Sequence, residues 1–555
     1  MKCNLINKPI NANYVHELLK ERGVENVQDF LSPTSIQDWR DLDDMDYAIE
    51  KLLTIKGEVD DLTLGLLVDC DYDGFSSASI IHNYIKCIWP ETKFVHYIHK
   101  GKAHGLEDNW QFWSDKDIDL LIIPDAATND KEYAEKLDVP IIVLDHHIYE
   151  GGGFANNMIV VNNQISSKYT NKNLSGAGIA YQFCRGMDYY LDLNYADNFI
   201  DLAATGVCAD MMSGLEPENQ FLWKEGFSNV KNGFLKAIIE KQDYSMGGKV
   251  NPTTVAFYIV PLINAMIRVG TQAEKERMFL ALIDSDRLVE CNKRGAKGTM
   301  EKVAIESVRE CVNARSKQNK MLDTFEQKME MKIFKNDLLE NKILIIRLDE
   351  DDEFPSELNG LVAMRLSKKY KRPTIVARLN NEGELKGSAR GVDNSPIISF
   401  KDFLNESGFA TFTAGHDNAH GVGIMNKDLF DFHKWANEKL ANVQLDENCF
   451  DVNFERLAAD KDIANIIEDI ASYEHIWSQQ NPEPMIHITD INITFDDVQI
   501  MGKNKDTIKI EKFGIAYMKF HAKDLIEQLR EYSGQIKLEV VGRANLNSWG
   551  GRIVP

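Results

Sequence analysis

The sequence predicts an α/β protein: a parallel sheet, a long connecting helix, a second α/β unit and a small C-terminal β-barrel. Three observations carry that reading. Short apolar runs alternate with helical stretches from residue 62 to 210, the pattern of a parallel sheet covered on both faces. A basic stretch with helical spacing, 293–335, separates this region from a second alternating one. From about residue 484 onward, only strand patterns stand out.

Taken in order, residues 1–60 read as short helices and turns. The strands expected next are "LTLGLLVD" (62–69), "KFVHYIH" (93–99), "IDLLIIPD" (118–125), "VPIIVLDHH" (139–147) and "NMIVVNN" (157–163), all rich in β-branched residues. Between the first two, "SSASIIHNYIKCIW" has helical spacing. Residues 195–335 look mostly helical. Within 293–335 there are eleven Lys or Arg against six Asp or Glu, and Ile305, Val308 and Val312 share one helical face. The second unit has strand "KILIIRL" (342–348), helix "SELNGLVAMRLSKKY" (356–370), strand "PTIVARL" (373–379), then "ELKGSARG" (384–391) and a Gly/His-rich loop. "DEDDE" (349–353) reads as a solvated surface loop. "PMIHITDINITF", "TIKIEKF", "IAYMKFHA" and "QIKLEVVGRANLN" suggest a barrel of the OB kind.

A chain of 555 residues is too long for one core. Its eight cysteines form no CxxC pair, which points to reduced thiols in a cytoplasmic compartment. The opening "MKCNLINKPINANY" lacks the apolar core of a signal peptide, and no run is expected to reach membrane-spanning length, so no membrane is involved. A net charge of −23 argues against nonspecific coating of duplex DNA. It leaves room for an enzyme whose basic groups are confined to a groove.

The acids carry the chemistry. Asp69, Asp71 and Asp73 occupy alternate positions, so an extended segment would put all three on one face. Asp69, Asp125 and Asp145 each end a predicted strand, where open α/β sheets place their ligands. His146 and His147 follow at the exit of a buried strand, and Asp210 follows another apolar stretch. Singly, each has a plain alternative as a helix cap, a turn residue or a surface group. Together, carboxylates and imidazole without thiolate suit Mn²⁺ or a similar divalent ion. Two ions about 3.5–4 Å apart would need a bridging carboxylate and would activate water for in-line attack at phosphorus.

The set "DCDYDG" (69–74), "PDAATND" (124–130), "LDHH" (144–147) and "CAD" (208–210) resembles the four motifs of the DHH phosphoesterases. Further stretches resemble RecJ-type single-strand-specific exonucleases: "HGLEDN" (104–109), "SGAGIAYQF" (175–183), "PLINAMIRVG" (261–270), "LNGLVAMRLSKKYKRPTIV" (358–376), "KGSARG" (386–391), "GHDNAHG" (415–421) and "NPEP" (481–484). The resemblance implies metal ligands at Asp69, Asp71, Asp73, Asp125, His146 and Asp210, with Asp125 as the bridge. It implies that Asp145 orients an imidazole and that His147 contacts the scissile phosphate or protonates the leaving oxygen. Substrate contacts fall on Arg390, His416, Gly387, Gly391, Gly415, Arg268 and Lys102. The chain departs from the pattern at "PDAAT", where these proteins more often carry Asn-Gly after the acid, and at Lys100 and Lys102, where they tend to use Arg. The closing "SWGGRIVP" resembles the penultimate part of the family's barrel, whose last strand would follow.

The implied division is an N-terminal helical segment (1–60), a DHH catalytic domain (61–292), the connecting helix (293–336), a DHH-associated substrate-binding domain (337–450) and an OB-like nucleic-acid-binding domain (451–555). The implied function is a two-metal Mn²⁺- or Mg²⁺-dependent exonuclease of DNA repair, recombination or replication. It would shorten single-stranded DNA from 5′ to 3′ and release 5′-mononucleotides. A single-strand binding protein or a helicase is the partner class implied. Two alternatives stay open: a phosphodiesterase for cyclic dinucleotides or very short RNA, and a noncatalytic replication factor with the same fold.

Overall fold

The computed structural model describes residues 2–8, 10–100, 104–296, 298–349, 352–392, 395–445, 449–532, 534–549 and 552–554. The chain divides into two compact units. The larger comprises Gln28–Asn319 and His475–Pro482; the smaller comprises Met1–Val27, Lys320–Glu474 and Glu483–Pro555. The N-terminal segment is therefore not simply helical. Strand β1 (Lys2–Leu5) pairs in parallel with Cys449–Val452 of the smaller unit.

In the larger unit, β2 (Thr63–Val68), β3 (Lys93–Ile98), β4 (Leu120–Pro124), β5 (Ile141–Asp145) and β6 (Met158–Asn162) form one parallel sheet in the order β3-β2-β4-β5-β6. The strands β4, β5 and β6 are buried along their whole length, because helices cover both faces. The chain leaves β2 toward β3 on one side and returns to β4 on the other. The crevice at the carboxyl ends of β2 and β4 is therefore a topological switch point.

The run Pro252–Val269 is long and apolar enough to cross a membrane by length and composition, against expectation; half of it is buried inside the unit. The long helix also starts later than expected, at Val303, and ends at Lys335. The residues before it form a hairpin of β7 (Leu288–Glu290) and β8 (Met300–Lys302). Its basic face is largely occupied within the protein. Arg309 pairs with Glu301 and Glu306, and Lys328 and Lys332 pair with Asp352. Asp352 is accordingly buried, not part of a solvated loop; the adjacent residues 350 and 351 lie outside the described residues.

The sheet of the smaller unit runs β12-β13-β11-β10-β9, from β9 (Leu344–Leu348), β10 (Thr374–Leu379), β11 (Glu384–Arg390), β12 (Ala410–His416) and β13 (Ala419–Met425). The expected Gly/His-rich loop is thus a hairpin, β12–β13. One face packs Ala377, Leu385, Ala389 and Val422 against Phe400, Phe403 and Phe432. After β14 (Cys449–Val452), the remaining strands form separate sheets. β15 (Phe454–Leu457), β16 (Met485–Ile493) and β20 (Ile536–Arg543) make one; β17 (Val498–Met501), β18 (Thr507–Lys512) and β19 (Ile515–Lys519) make another. Among the described residues these strands do not close into a barrel.

Candidate metal centre

The three alternating acids converge by a different geometry from the one their spacing suggests. Strand β2 stops at Val68, Asp69 follows it, and Asp71 caps the helix Tyr72–Ile88 by accepting from Gly74 N at 3.1 Å. Asp73 lies in that helix's first turn and is buried. It accepts from Ser175 Oγ at 2.8 Å and Ala177 N at 3.3 Å. A strand-to-helix turn, not an extended strand, brings the carboxylates together. Ser175 also precedes a helix, Gly176–Leu191, so the N-termini of two helices lie among the acids and their partial positive charge offsets some repulsion.

Potential ligand atoms within 4.8 Å of one another form overlapping groups: Asp69, Asp71 and Asp125; Asp73, His146 and Asp210; and Asp125, Asp145, His146 and His147. All six residues expected to hold metal are therefore gathered. Three glycines make the crowding possible. A Cβ on Gly176 would stand 2.7 Å from Asp125 Cα, one on Gly74 would stand 2.8 Å from Asp69 Cα, and one on Gly206 would stand 2.5 Å from Asp73 Oδ1. Asp125 itself has φ of +67° and Ala127 has +78°, a left-handed backbone that strains residues other than glycine.

Burial, and then the charges of Asp73, Asp71, Asp69 and Asp210, push Asp125 well above the usual carboxylate range. Burial with Asp73 and Asp71 does the same to Asp210, and burial with Asp69 and Asp73 raises Asp71. Burial also raises Asp73, and burial with the charge of His147 lowers His146 to about 4, leaving it neutral. Asp69 Oδ1, Asp73 Oδ2 and Asp125 Oδ1 are buried and receive no hydrogen bond. His146 Nε2 lies 3.1 Å from Asp125 Oδ1 and 3.5 Å from Asp210 Oδ2. Orphaned oxygens of mutually repelling carboxylates beside a neutral imidazole fit a divalent cation of the Mn²⁺ or Mg²⁺ kind. Cys70 stands nearby, but burial holds it as a thiol and so a poor ligand.

Asp145 orients the imidazole of His147. Its Oδ1 accepts from His147 Nδ1 at 2.7 Å and from His146 N at 2.7 Å, and its Oδ2 accepts from Thr128 N at 3.0 Å. Burial alone would raise Asp145, but the hydrogen bond and charge of His147 hold it below its usual range. Burial alone would lower His147, but Asp145 outweighs this and carries it up to about 9. Sequence reasoning missed His99 and His104. His104 Nδ1 lies 2.6 Å from Asp69 Oδ2, and buried His99 Nε2 lies 3.5 Å from Asp69 Oδ1. Their signal was local, since "HGLEDN" begins at His104 and His99 closes a predicted strand. Arg268, in the last turn of the helix Val260–Val269, keeps an exposed surface, but the packing around it lowers its pKa, which the charge of Asp71 raises in part. Lys102 lies outside the described residues.

In the smaller unit, strand register brings Arg390 and His416 to one face. Arg390 pairs with Ala419, and Ala419 with His416, so the two flank a small residue two strand spacings apart, roughly 9–10 Å. Arg390 Nη1 donates to Ala389 O at 2.7 Å, its guanidinium packs over Gly360, and His416 is exposed. Gly415 has φ of +124° and lets the hairpin bend there. Gly391 N donates to Asn418 O at 3.0 Å at the end of the same hairpin. Gly387 does not join them. It pairs with Ala377 and Val422 on the packed face, where its missing side chain makes room for Ala377.

Residues 66–207 match the model of the DHH family, N-terminal domain. The chain is 35% identical over 557 residues to a protein of Bacillus subtilis (strain 168) named as a candidate SPbeta prophage-derived single-strand DNA-specific exonuclease, YorK. That alignment covers 98% of this chain and 95% of YorK. It is 25% identical over 509 residues to the single-stranded-DNA-specific exonuclease RecJ of the same organism, covering 88% of this chain and 59% of RecJ. Among solved structures, RecJ from Thermus thermophilus in complex with Mn²⁺ matches with a TM-score of 0.72 at 18% identity, covering 100% of this chain and 78% of that one.

Proposed function

Because the chain belongs to the RecJ-type single-strand-DNA-specific exonucleases of the DHH family, we propose that it is a metal-dependent exonuclease of single-stranded DNA. One observation carries the reading: buried carboxylate oxygens of Asp69, Asp73 and Asp125 receive no hydrogen bond, in overlapping clusters that set Asp69 and Asp71 beside Asp125, and Asp73 and Asp210 beside neutral His146.

In this reading Asp69, Asp71, Asp73, Asp125, His146 and Asp210 would hold the divalent ions. When bound, the ions supply charge neutralisation and a water of lowered pKa. The chain's own residues do the rest. Asp145 fixes His147 with Nδ1 as donor, so Nε2 of the half-exposed ring is left to meet a phosphate or hold a proton at the leaving oxygen. Arg390 and His416 offer a cationic and an imidazole contact for phosphate groups. The direction 5′ to 3′, the release of 5′-mononucleotides and a partner of the single-strand-binding or helicase class rest on family membership. A cytoplasmic setting fits eight free cysteines.

The test is to incubate an end-labelled single strand, its duplex and a cyclic dinucleotide with Mn²⁺, then with chelator. The single strand should shorten from one end, the duplex should persist, and chelator should stop the reaction. Hydrolysis of the cyclic dinucleotide with the single strand left intact would replace this reading with a small-nucleotide phosphodiesterase.

A further inference from the structure

Eight residues of the larger unit, His475–Pro482, stand apart in sequence, because both their flanks belong to the smaller one. They form a tight strap. Ser478 and Asn481 bridge, Gln480 has φ of +57°, and Asn481 Nδ2 donates to Ile476 O at 3.1 Å. Ile476, Trp477 and Asn481 are buried. The strap's carbonyls accept from three places: Gly214 N to Gln479 O at 2.8 Å, Gln220 Nε2 to Ile476 O at 3.1 Å and Thr253 Oγ1 to Trp477 O at 2.9 Å.

Those anchors bracket one metal-site residue. Asp210 ends the helix Ile200–Ala209 and is followed by Met211 at φ of +56° and a short loop to Gly214. Before it, Cys208 Sγ donates to Pro252 O at 3.2 Å, and Pro252 adjoins the strap-bound Thr253. After it, Gly214 meets the strap directly. Among the described residues, the only side chain placed within 4 Å of the Asp210 carboxylate by an ion-pair contact is His146, so the carboxylate's aim depends on the backbone between Cys208 and Gly214.

We infer that the strap His475–Pro482 is a positioning element for Asp210, setting metal affinity from a segment remote in sequence. The inference rests on Asp210 being a metal ligand. A Cβ on Gly214 would collide with Ser478 Oγ and stand 3.0 Å from Ser478 Cβ, which supplies a lever and its remedy. Mn²⁺ binding to the full chain is measured by calorimetry or by loss of the free-ion spin signal, with thermal unfolding measured alongside. Gly214→Ala should weaken Mn²⁺ binding by about tenfold, the range for groups that hold a ligand in place, and Gly214→Ala with Ser478→Gly should restore it. Thr253→Val should weaken it in the same direction and keeps the test open if Gly214→Ala does not fold. Wild-type Mn²⁺ affinity in Gly214→Ala or Thr253→Val, with only unfolding temperature lowered, would overturn the inference. So would failure of the double variant to recover. Asp210→Asn separates the two claims: if it too keeps wild-type affinity, the ligand assignment fails, and not the strap alone.

Discussion

The carboxylate centre and the Arg390/His416 face solve opposite problems. The first gathers like charges that repel, so every neighbour is constrained: three glycines admit the helices, two helix N-termini face the acids, and Asp125 accepts a left-handed backbone. The second offers a cation and an imidazole toward solvent, and needs only strand register with Ala419 between them. A site that is electrostatically frustrated without its ligand must be over-determined by its surroundings. A site that is not frustrated can sit on a hairpin.

Breaking the first region should therefore have the largest effect. Asp125→Ala should lower hydrolysis at least about 100-fold while raising the unfolding temperature of metal-free protein, because it removes a buried carboxyl whose ionisation burial and four neighbouring acids oppose. Wild-type activity, or a lowered metal-free unfolding temperature, would break the contrast.

Next comes pH. Asp71, Asp73, Asp125 and Asp210 all have raised folded-state pKa values. Each then contributes stability that is fully present below the ordinary carboxylate value of about 4 and is lost as pH climbs through the raised one. Metal-free protein should lose unfolding temperature as pH climbs above the ordinary carboxylate value of about 4, and saturating Mn²⁺ should flatten that slope. A metal-free curve that rises over this range would contradict the electrostatic account.

The hairpin face should respond more mildly. Arg390→Ala should raise KM for single strands about 10- to 100-fold, the worth of charge-assisted hydrogen bonds, with Mn²⁺ affinity unchanged. Arg390→Lys should recover part of it, since Lys lacks the bidentate fork. An unchanged KM would remove Arg390 from the substrate contacts. Smallest of all, Ala127→Gly should relieve a strained φ and stabilise the protein by up to about 1 kcal/mol, offset in part by glycine's own entropy. A lower unfolding temperature would show that the loop carries no strain.

The same contrast explains what could be read beforehand. Strands β2 to β6 were legible because parallel strands buried on both faces are apolar throughout. The acids were legible because they stand where such strands end. Their geometry was not, since nothing in alternate spacing says that β2 stops at Val68 and a helix begins at Tyr72. Gly387 was misplaced because a glycine beside an arginine carries no sign of which face it occupies. The basic helix shows a related limit: Arg309 looks the same in sequence whether it faces solvent or pairs with Glu301 and Glu306. The strap was invisible, because no local pattern reports a docking site more than two hundred residues away, at Gly214 and Gln220.

Strand β1 has a consequence for biosynthesis. Asn4 and Asp451, hydrogen-bonded across β1 and β14, are 447 residues apart. At ribosomal speeds of roughly 5–20 residues per second, a newly made β1 waits on the order of 20–90 seconds for its partner. The sheet around β2 needs only residues up to about 162 and can assemble while the rest is still being made. Asp210 and the strap that adjoins its loop come later, but the nascent chain thus acquires the sheet that carries Asp69, Asp125 and Asp145 long before its first strand is paired. Between those two events β1 is an unpaired edge, and a holdase chaperone, or simple delay in its emergence, has most to protect there.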